Sequence, residues 1–393
     1  MNDSFSALGV SEDVVSALAG LGITEPFAVQ RMCIPAGLAG DDVIAKSPTG
    51  SGKTLAFGLP LVMQADPAAT APEALVLCPT RELAQQIGAD LEPLAAARGV
   101  GVAVCYGGAG LPQQAKQASK SQIVVATPGR LIDLSQRRMV NLSGVRRLVL
   151  DEADRMVDMG FLPQVERILP MLARERQTLF FSATVEGAAG VAARRFTRDP
   201  VRIDATSHVT IECGEVDHAF ISVTEHEKYA QLTELLSDVE GLTLVFCETK
   251  YGCAWLARRL EGSGVNCEAI HGDRSQAERN RAMSRFASGE VQVLVATDVA
   301  ARGIDLSGIG LVVNYDAPSA ADDYTHRVGR TARAGAAGRA VTLVTRDQQA
   351  DVGRFATRLE IADEFRSAGM TVSPPRLVYS SRRRGGGGGR RRF

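Results

Sequence analysis

Short apolar runs rich in Val, Ile and Leu alternate along the chain with longer stretches of helical period, the pattern of parallel βαβ units. Runs at 42–46, 74–78, 102–106, 122–126, 147–151 and 178–182 predict strands in the first half. Runs at 219–223, 242–247, 267–271, 291–296, 311–315 and 339–344 predict strands in the second. Between them, Leu83, Ile87, Leu91 and Leu94 recur at helical spacing before Gly99, and Cys253, Leu256 and Leu260 do so before Gly262 and Gly264. Residues 206–215 (TSHVTIECGE) keep no period and predict a linker. The expected organisation is therefore an α/β domain over 1–205, a second over 216–370, and a low-complexity tail over 371–393.

Composition narrows the class. At about 150 residues per domain, 393 residues suit two or three domains. With 45% hydrophobic and 23% charged residues, the balance is that of a globular protein. No run approaches the ~18 consecutive apolar residues of a membrane span. The N-terminal MNDSFSALGV carries acid where a secretory leader has a basic segment. The 7 cysteines stand singly, without a C-x-x-C pair, which argues for a reducing compartment and against a zinc site. The expected address is the cytoplasm. Net charge is −1, but residues 380–393 hold six arginines and no acid, so the rest of the chain carries −7. A polyanionic ligand must therefore be argued from local sites and from this tail.

The strongest local feature is AKSPTGSGKT (45–54), after one strand and before a helix. Thr49, Gly50, Ser51 and Gly52 turn backbone amides around a phosphate, Lys53 reaches the β/γ-phosphates, and the Thr54 hydroxyl suits Mg²⁺. Ser47 stands where the widest form of this motif has Gly. Asp151-Glu152-Ala153-Asp154 directly follows the apolar run RRLVL. An acid at the carboxyl end of a buried parallel strand is placed to hold Mg²⁺ through its water shell, as Asp151 would. Glu152 would orient and deprotonate the attacking water.

Further strand ends are shaped for anions. Pro79-Thr80-Arg81 follows one strand, with Thr80 as N-cap; Thr127-Pro128-Gly129-Arg130 follows another, with Thr127 as N-cap and Pro128 in the first turn. Ser275 to Glu278 fits a capping box, with Gln276 and Arg279 in the same turn. A single helix N-terminus means little. Three with adjacent arginines, at the carboxyl edges of parallel sheets, suggest a track for a phosphate backbone. Gly107-Gly108 permits close approach at the same edge. None of these groups reads base edges, so binding is expected to be sequence-independent.

With these elements in place, the chain resembles the DEAD-box RNA helicases from Phe5 to about residue 345. The motifs occur in the family's order: Phe5 and Gly22 to Gln30, SPTGSGKT, PTREL, GG, TPGR, DEAD and SAT, then LVFC, Gln276 with Arg279, ATDVAARGID and HRVGRTARAG. The resemblance implies two tandem RecA-like domains with ATP and RNA bound across the cleft between them. It implies that Gln30 bonds the adenine edge, Phe5 packs over the base and Asp305 holds the ribose. Arg330 and Arg333, read as three apart on one helix, become arginine fingers. His326 and Arg327 link that helix to DEAD and SAT, and Ser182 and Thr184 couple domain closure to RNA. RNA contacts are implied at Thr297, Arg302 and Gly303 as well.

Two departures stand out: Ala332 replaces the usual Gly, and EPFAVQ replaces the commoner P-T-P-I-Q ending. The expected activity is ATP-dependent local strand separation by a monomer, with the helix at Thr127 bending the bound strand. An ATP-gated RNA clamp with incidental unwinding needs the same site. A DNA translocase is disfavoured by resemblance alone, and a small-metabolite kinase leaves the second half unused.

Overall fold

Segments such as Ala74–Leu77 (ALVL) and Ile123–Ala126 (IVVA) are buried at every position, as strands covered on both faces must be. The computed structural model describes residues 4–47, 51–205, 216–237, 241–301, 308–332 and 337–371. The expected linker 206–215 and residues 372–393 of the tail lie outside the described residues.

The first lobe holds β1 (Val43–Lys46), β2 (Ala74–Leu77), β3 (Val102–Cys105), β4 (Ile123–Ala126), β5 (Arg147–Leu150), β6 (Gln177–Ser182) and β7 (Val201–Asp204). They pair in parallel in the order β3-β4-β2-β5-β6-β1-β7. The second lobe holds β8 (Val216–Ser222), β9 (Leu242–Cys247), β10 (Cys267–Ile270), β11 (Val293–Thr297), β12 (Ile309–Asn314) and β13 (Gly338–Val344). Their order is β10-β11-β9-β12-β13-β8, again all parallel. Both sheets are flanked by helices, the two tandem α/β units the sequence predicts.

Strand periodicity divides the core. Val43, Val76, Val125 and Leu179 face one side of the first sheet, and Ile44, Leu75, Val124 and Phe180 face the other. Each such side chain contributes about 2 kcal/mol on burial. The second sheet repeats the scheme with Val245, Val295 and Val313 opposite Leu244, Leu294 and Val312. Among the described residues no helix is long and apolar enough to cross a membrane.

The structure corrects two expectations. Strand β7 was not predicted, because VRID lies at a sheet edge with only Ile203 buried and so lacks an apolar run. The helix Ala321–Val328 ends before Arg330, with Gly329 at its C-cap, so Arg330 sits in the following turn and not on the helix.

Candidate functional site

Parallel strands deliver all their carboxyl ends to one edge, and strand order decides what meets there. In the first lobe, β3, β4 and β2 are neighbours, so Gly107-Gly108, Thr127-Pro128 and Pro79-Thr80 line one half of that edge. β5, β6 and β1 form the other half and deliver the acidic tetrad, the SAT segment and the phosphate loop. The second lobe repeats the division. β10, β11 and β9 lead to Ser275, Thr297 and Thr249, whereas β12 leads into the segment carrying His326 and Arg330.

In the phosphate loop, Gly52 takes φ +83 at the N-cap of the helix Lys53–Gln64. The Ser47 and Ser51 hydroxyls hydrogen-bond to each other at 2.5 Å, which ties the loop together where the usual first glycine is missing. Lys53 is 7% exposed and donates to the Ser47 carbonyl at 3.0 Å; Thr54 is half-buried beside it. Thr49 and Gly50 lie outside the described residues.

Gln30 connects this loop to the N-terminal segment. Its Nε2 donates to the Gly52 carbonyl at 2.9 Å, and its Oε1 accepts from the Phe27 amide at 2.8 Å. A primary amide still has one donor and one acceptor position to offer. Phe5, expected to pack over a nucleobase, is instead 2% exposed in a cluster with Val14, Leu18, Val29 and Ile34. Its ring anchors the N-terminal segment. The aromatic ring beside the loop is Phe27, 41% exposed and so close that a Cβ on Gly52 would fall 2.5 Å from its Cδ2. The unusual EPFAVQ spelling was the signal for this residue.

The acids are held tightly. Asp151 accepts from the Glu152 amide at 2.9 Å. Burial pushes the Asp151 carboxyl up to about 6, and the nearby Lys53 ammonium pulls it back down. A buried carboxylate flanked by further acids calls for added positive charge. Among the described residues no group of three or more metal-ligating side chains is assembled. A buried carboxylate at Asp151, together with the Thr54 hydroxyl, is a donor set of the kind Mg²⁺ accepts, since that ion takes one or two carboxylates and draws its other oxygens from phosphates and water.

Glu152 takes φ +49 and ψ +50, a left-handed conformation that costs a non-glycine residue about 1 kcal/mol or more. The buried Arg155 forms an ion pair with its carboxylate. Sequence reasoning passed over Arg155, although its i,i+3 spacing from Glu152 was the signal for it. Asp154 accepts from the amides of Ala183 and Thr184, each at 3.1 Å, while Ser182 Oγ accepts from the Asp154 amide at 3.2 Å and donates to the Thr184 carbonyl. DEAD and SAT are thus one hydrogen-bonded unit.

The second lobe meets this unit. A cavity of about 140 Å³ is lined by Asp154, Asp158 and Thr184 from the first lobe and Asp323 and His326 from the second. Arg327 does not reach across. Its guanidinium is bidentate to Asp298 at 2.7 Å and also donates to Asn314 and the Asp316 carbonyl, which fixes it within its own lobe. Arg330 is 4% exposed, its Nε donating to the His326 carbonyl at 3.2 Å. Arg333, Arg302, Gly303 and Asp305 lie outside the described residues.

Along the other half of the edge, Thr80 caps its helix by accepting from the Leu83 amide at 3.3 Å, and Ser275 with Glu278 forms the expected capping box. Thr127 occupies an N-cap with Pro128 following, but its side chain makes no capping bond. Gly107 and Gly108 admit the Arg81 guanidinium: a Cβ on Gly108 would fall 2.5 Å from its Nη1. Arg130 donates to the Ala109 carbonyl at 3.2 Å and to Gln114, and Gly129 is exposed beside it. Thr297 ends β11 at 8% exposed. Arg279, expected at an RNA phosphate, forms an ion pair across the lobes with Glu82 at 2.9 Å. The Gln276 side chain lies outside the described residues.

A phosphate loop and a buried acidic tetrad in one parallel-sheet lobe, faced by arginine-bearing segments of a second, define a two-lobed nucleotide-hydrolysing class. Residues 27–190 match the DEAD/DEAH box helicase family and residues 227–335 the helicase conserved C-terminal domain. The chain belongs to the DEAD-box helicases. It is 43% identical over 345 residues to the ATP-dependent RNA helicase CshA of Listeria monocytogenes, covering 86% of this chain and 66% of that one. It is 40% identical over 343 residues to the ATP-dependent RNA helicase DbpA of Bacillus subtilis, covering 87% of this chain and 71% of that one. The chain thus spans about two thirds of the length of these curated relatives. Its fold is similar to that of S. cerevisiae Dbp5 bound to RNA and ADP BeF3, with TM-score 0.83 and 28% identity over 92% of this chain and 94% of that one.

Proposed function

We propose that this chain is an RNA-dependent ATPase that uses ATP to grip and bend one RNA strand, separating short duplexes without reading sequence. The observation that supports it most is the division of each carboxyl edge: cleavage chemistry gathers on one half and capped helix starts with nearby cations on the other. One domain closure can act on both. In this reading the domains run over 1–205 and 216–370, joined by 206–215.

Amides of residues 49–54 and Lys53 cradle the triphosphate, with Thr54 and Asp151 holding the Mg²⁺ that would screen its charge. Glu152, steadied by Arg155, orients and deprotonates the attacking water. Arg330 and Arg333 complete the site from the second lobe, a contribution of about 10³–10⁵ in rate for such a finger. Gln30 addresses the adenine edge with Phe27 beside it in place of Phe5, and Asp305 takes the ribose. The Asp154–Ser182–Thr184 unit and His326 transmit closure.

RNA phosphates meet Pro79, Thr80, Arg81, Gly107, Gly108, Thr127, Pro128, Gly129 and Arg130 in the first lobe. In the second they meet Gln276, Thr297, Arg302 and Gly303. Contacts of this kind position a strand without specifying bases. The helix Pro128–Gln136 forces a bend that unstacks base pairs worth roughly 1–2 kcal/mol each, by analogy with DNA. The arginines of 380–393 add a sequence-blind tether. Its removal should flatten the dependence of log K on log salt by about 4. In this reading the chain works as a monomer in the cytoplasm.

ATP turnover measured with single-stranded RNA, single-stranded DNA, duplex RNA and no nucleic acid tests the proposal. Strong stimulation by RNA alone is expected. Equal turnover in every case would refute it, and unwinding of blunt and tailed duplexes would separate a helicase from a clamp.

A further inference from the structure

The helix Lys250–Gly262 follows β9 and starts at the carboxyl edge of the second sheet, capped by Thr249, whose hydroxyl accepts from the Gly252 amide at 3.0 Å. Its outer face carries Tyr251 and Trp255, 75% and 50% exposed and one turn apart. These are the most exposed aromatic side chains among the described residues, and the core uses neither.

Both rings are paired with cations. Lys250 Nζ lies 5.1 Å from the Tyr251 ring centre. Arg259 Cζ lies 3.8 Å from the Tyr229 ring centre and 5.1 Å from that of Trp255. The Tyr229 hydroxyl in turn donates to the Arg259 carbonyl at 3.1 Å and meets Ser263 Oγ at 2.7 Å. Trp255 is therefore braced by a guanidinium that is itself clamped, and an aromatic held in this way loses little freedom on binding.

The neighbouring face of the same helix borders a groove of about 750 Å³ over the edge strand β10, between this helix and the helix Gln276–Ala287, lined by Arg258, Arg274, Arg281 and Arg285 and by Glu261, Glu268 and Glu278. Each of the two helices carries three lysines or arginines against one glutamate, in a chain whose net charge is −1. Arg274 and Arg285 are paired with glutamates. Arg258 and Arg281 have no ion-pair partner among the described residues.

We propose that this surface is a second binding site for single-stranded RNA, with bases stacking on Tyr251 and Trp255 and phosphates following the arginine groove. Flat rings about 6 Å apart along a helix, interleaved with cations, match the alternation of base and phosphate in a single strand. Charge favours a polyanion, and position favours RNA over an acidic peptide. The helix starts on the half of the edge where Ser275 and Thr297 lie, so a strand leaving that edge continues onto it. This argument of position rests on the RNA reading of the sheet edge and extends it.

Trp255 is the only tryptophan in the chain, so its emission reports directly on stacking. Oligouridylates of about 6 and about 16 nucleotides span the usual range of single-strand sites. Both are expected to bind, and only the longer to quench Trp255. In Trp255→Ala the ratio of long to short affinity should fall roughly tenfold, the size of one lost stacking contact. Trp255→Phe should recover much of it. Binding of the longer oligonucleotide with unchanged emission and an unchanged ratio in Trp255→Ala would overturn the proposal. Quenching by an acidic peptide but by no RNA would also overturn it and mark a protein-docking face. Failure of the 6-mer to bind would instead sink the sheet-edge reading, and this one with it.

Discussion

Arg279 of the second lobe and Glu82 of the first stand 2.9 Å apart, each side chain 13% exposed, so one ion pair bridges the lobes on the side opposite the nucleotide chemistry. Glu82 lies in the first turn of the helix Arg81–Ala97 and Arg279 in that of Gln276–Ala287. A contact between the two starts exists only while the sheet edges face each other. Arg279→Ala is therefore expected to raise the RNA concentration needed for half-maximal ATP turnover, and Glu82→Arg combined with Arg279→Glu to restore it in part. A double-mutant cycle on that quantity should give a coupling of roughly 0.5–3 kcal/mol. Strictly additive effects would show that the pair does not act as a latch.

Glu152 combines a left-handed backbone, burial and an ion pair with Arg155. Glu152→Gln keeps the shape and removes the carboxylate proposed as the base. Hydrolysis should fall about 10²–10⁴-fold with ATP affinity preserved, and RNA should leave the ATP complex more slowly than in the parent. Equal RNA release rates in stopped-flow measurements would contradict this assignment.

Arg330 is expected to separate binding from chemistry in another way. It is buried in the turn after Ala321–Val328, on the lobe that does not carry the phosphate loop. Arg330→Ala should lower turnover by about 10³-fold or more while nucleotide titration shows little loss of affinity. A parallel loss of both would indicate a structural role.

The sequence made some of these features legible and hid others for physical reasons. Most strands are buried on both faces and become unbroken apolar runs, so the sequence located them; the edge strand β8, with a single buried position, showed only over 219–223, and β7 exposes Val201, Arg202 and Asp204 and carries no such signal. Thr80 and Ser275 were legible as caps because capping is a local interaction. The Arg279–Glu82 pair, the inward turn of Phe5 and the confinement of Arg327 to its own lobe depend on which surfaces the tertiary fold brings together. Residue type and spacing do not encode that. Phe27 lies between these cases: its departure from the family spelling marked the position, and only the structure set its ring against Gly52.

Gly108 makes a testable link between a backbone position and RNA. It takes φ +89, and a Cβ there would fall 2.5 Å from Arg81 Nη1, so Gly108→Ala must displace the guanidinium. If Arg81 meets a phosphate, RNA affinity should drop several-fold and the slope of log K against log salt should flatten by about 0.7, the value for one contact on a single strand. Basal turnover without RNA should be unaffected, because the phosphate loop and the acids lie on the other half of the edge. A variant with weakened binding but an unchanged salt slope would remove Arg81 from the phosphate contacts.

Ala332 takes φ +55 at 3% exposed, two residues beyond Arg330 in the segment that follows the helix Ala321–Val328. A left-handed conformation costs an alanine about 1–2 kcal/mol, and glycine adopts it freely. Glycine also gains more unfolded-state entropy, roughly 0.5–1 kcal/mol, which offsets part of the relief. Ala332→Gly should therefore stabilise the second lobe by about 0.5 kcal/mol, seen as a higher denaturant midpoint at unchanged m. The strain bears on the segment carrying Arg330, so its relief also tests what that strain does. Unchanged turnover would make Ala332 a tolerated substitution, whereas a fall in turnover despite higher stability would mean that the strained turn holds Arg330 in its working position. A lower midpoint would show that the buried methyl group contributes more than the backbone costs, and would reverse the assignment of strain.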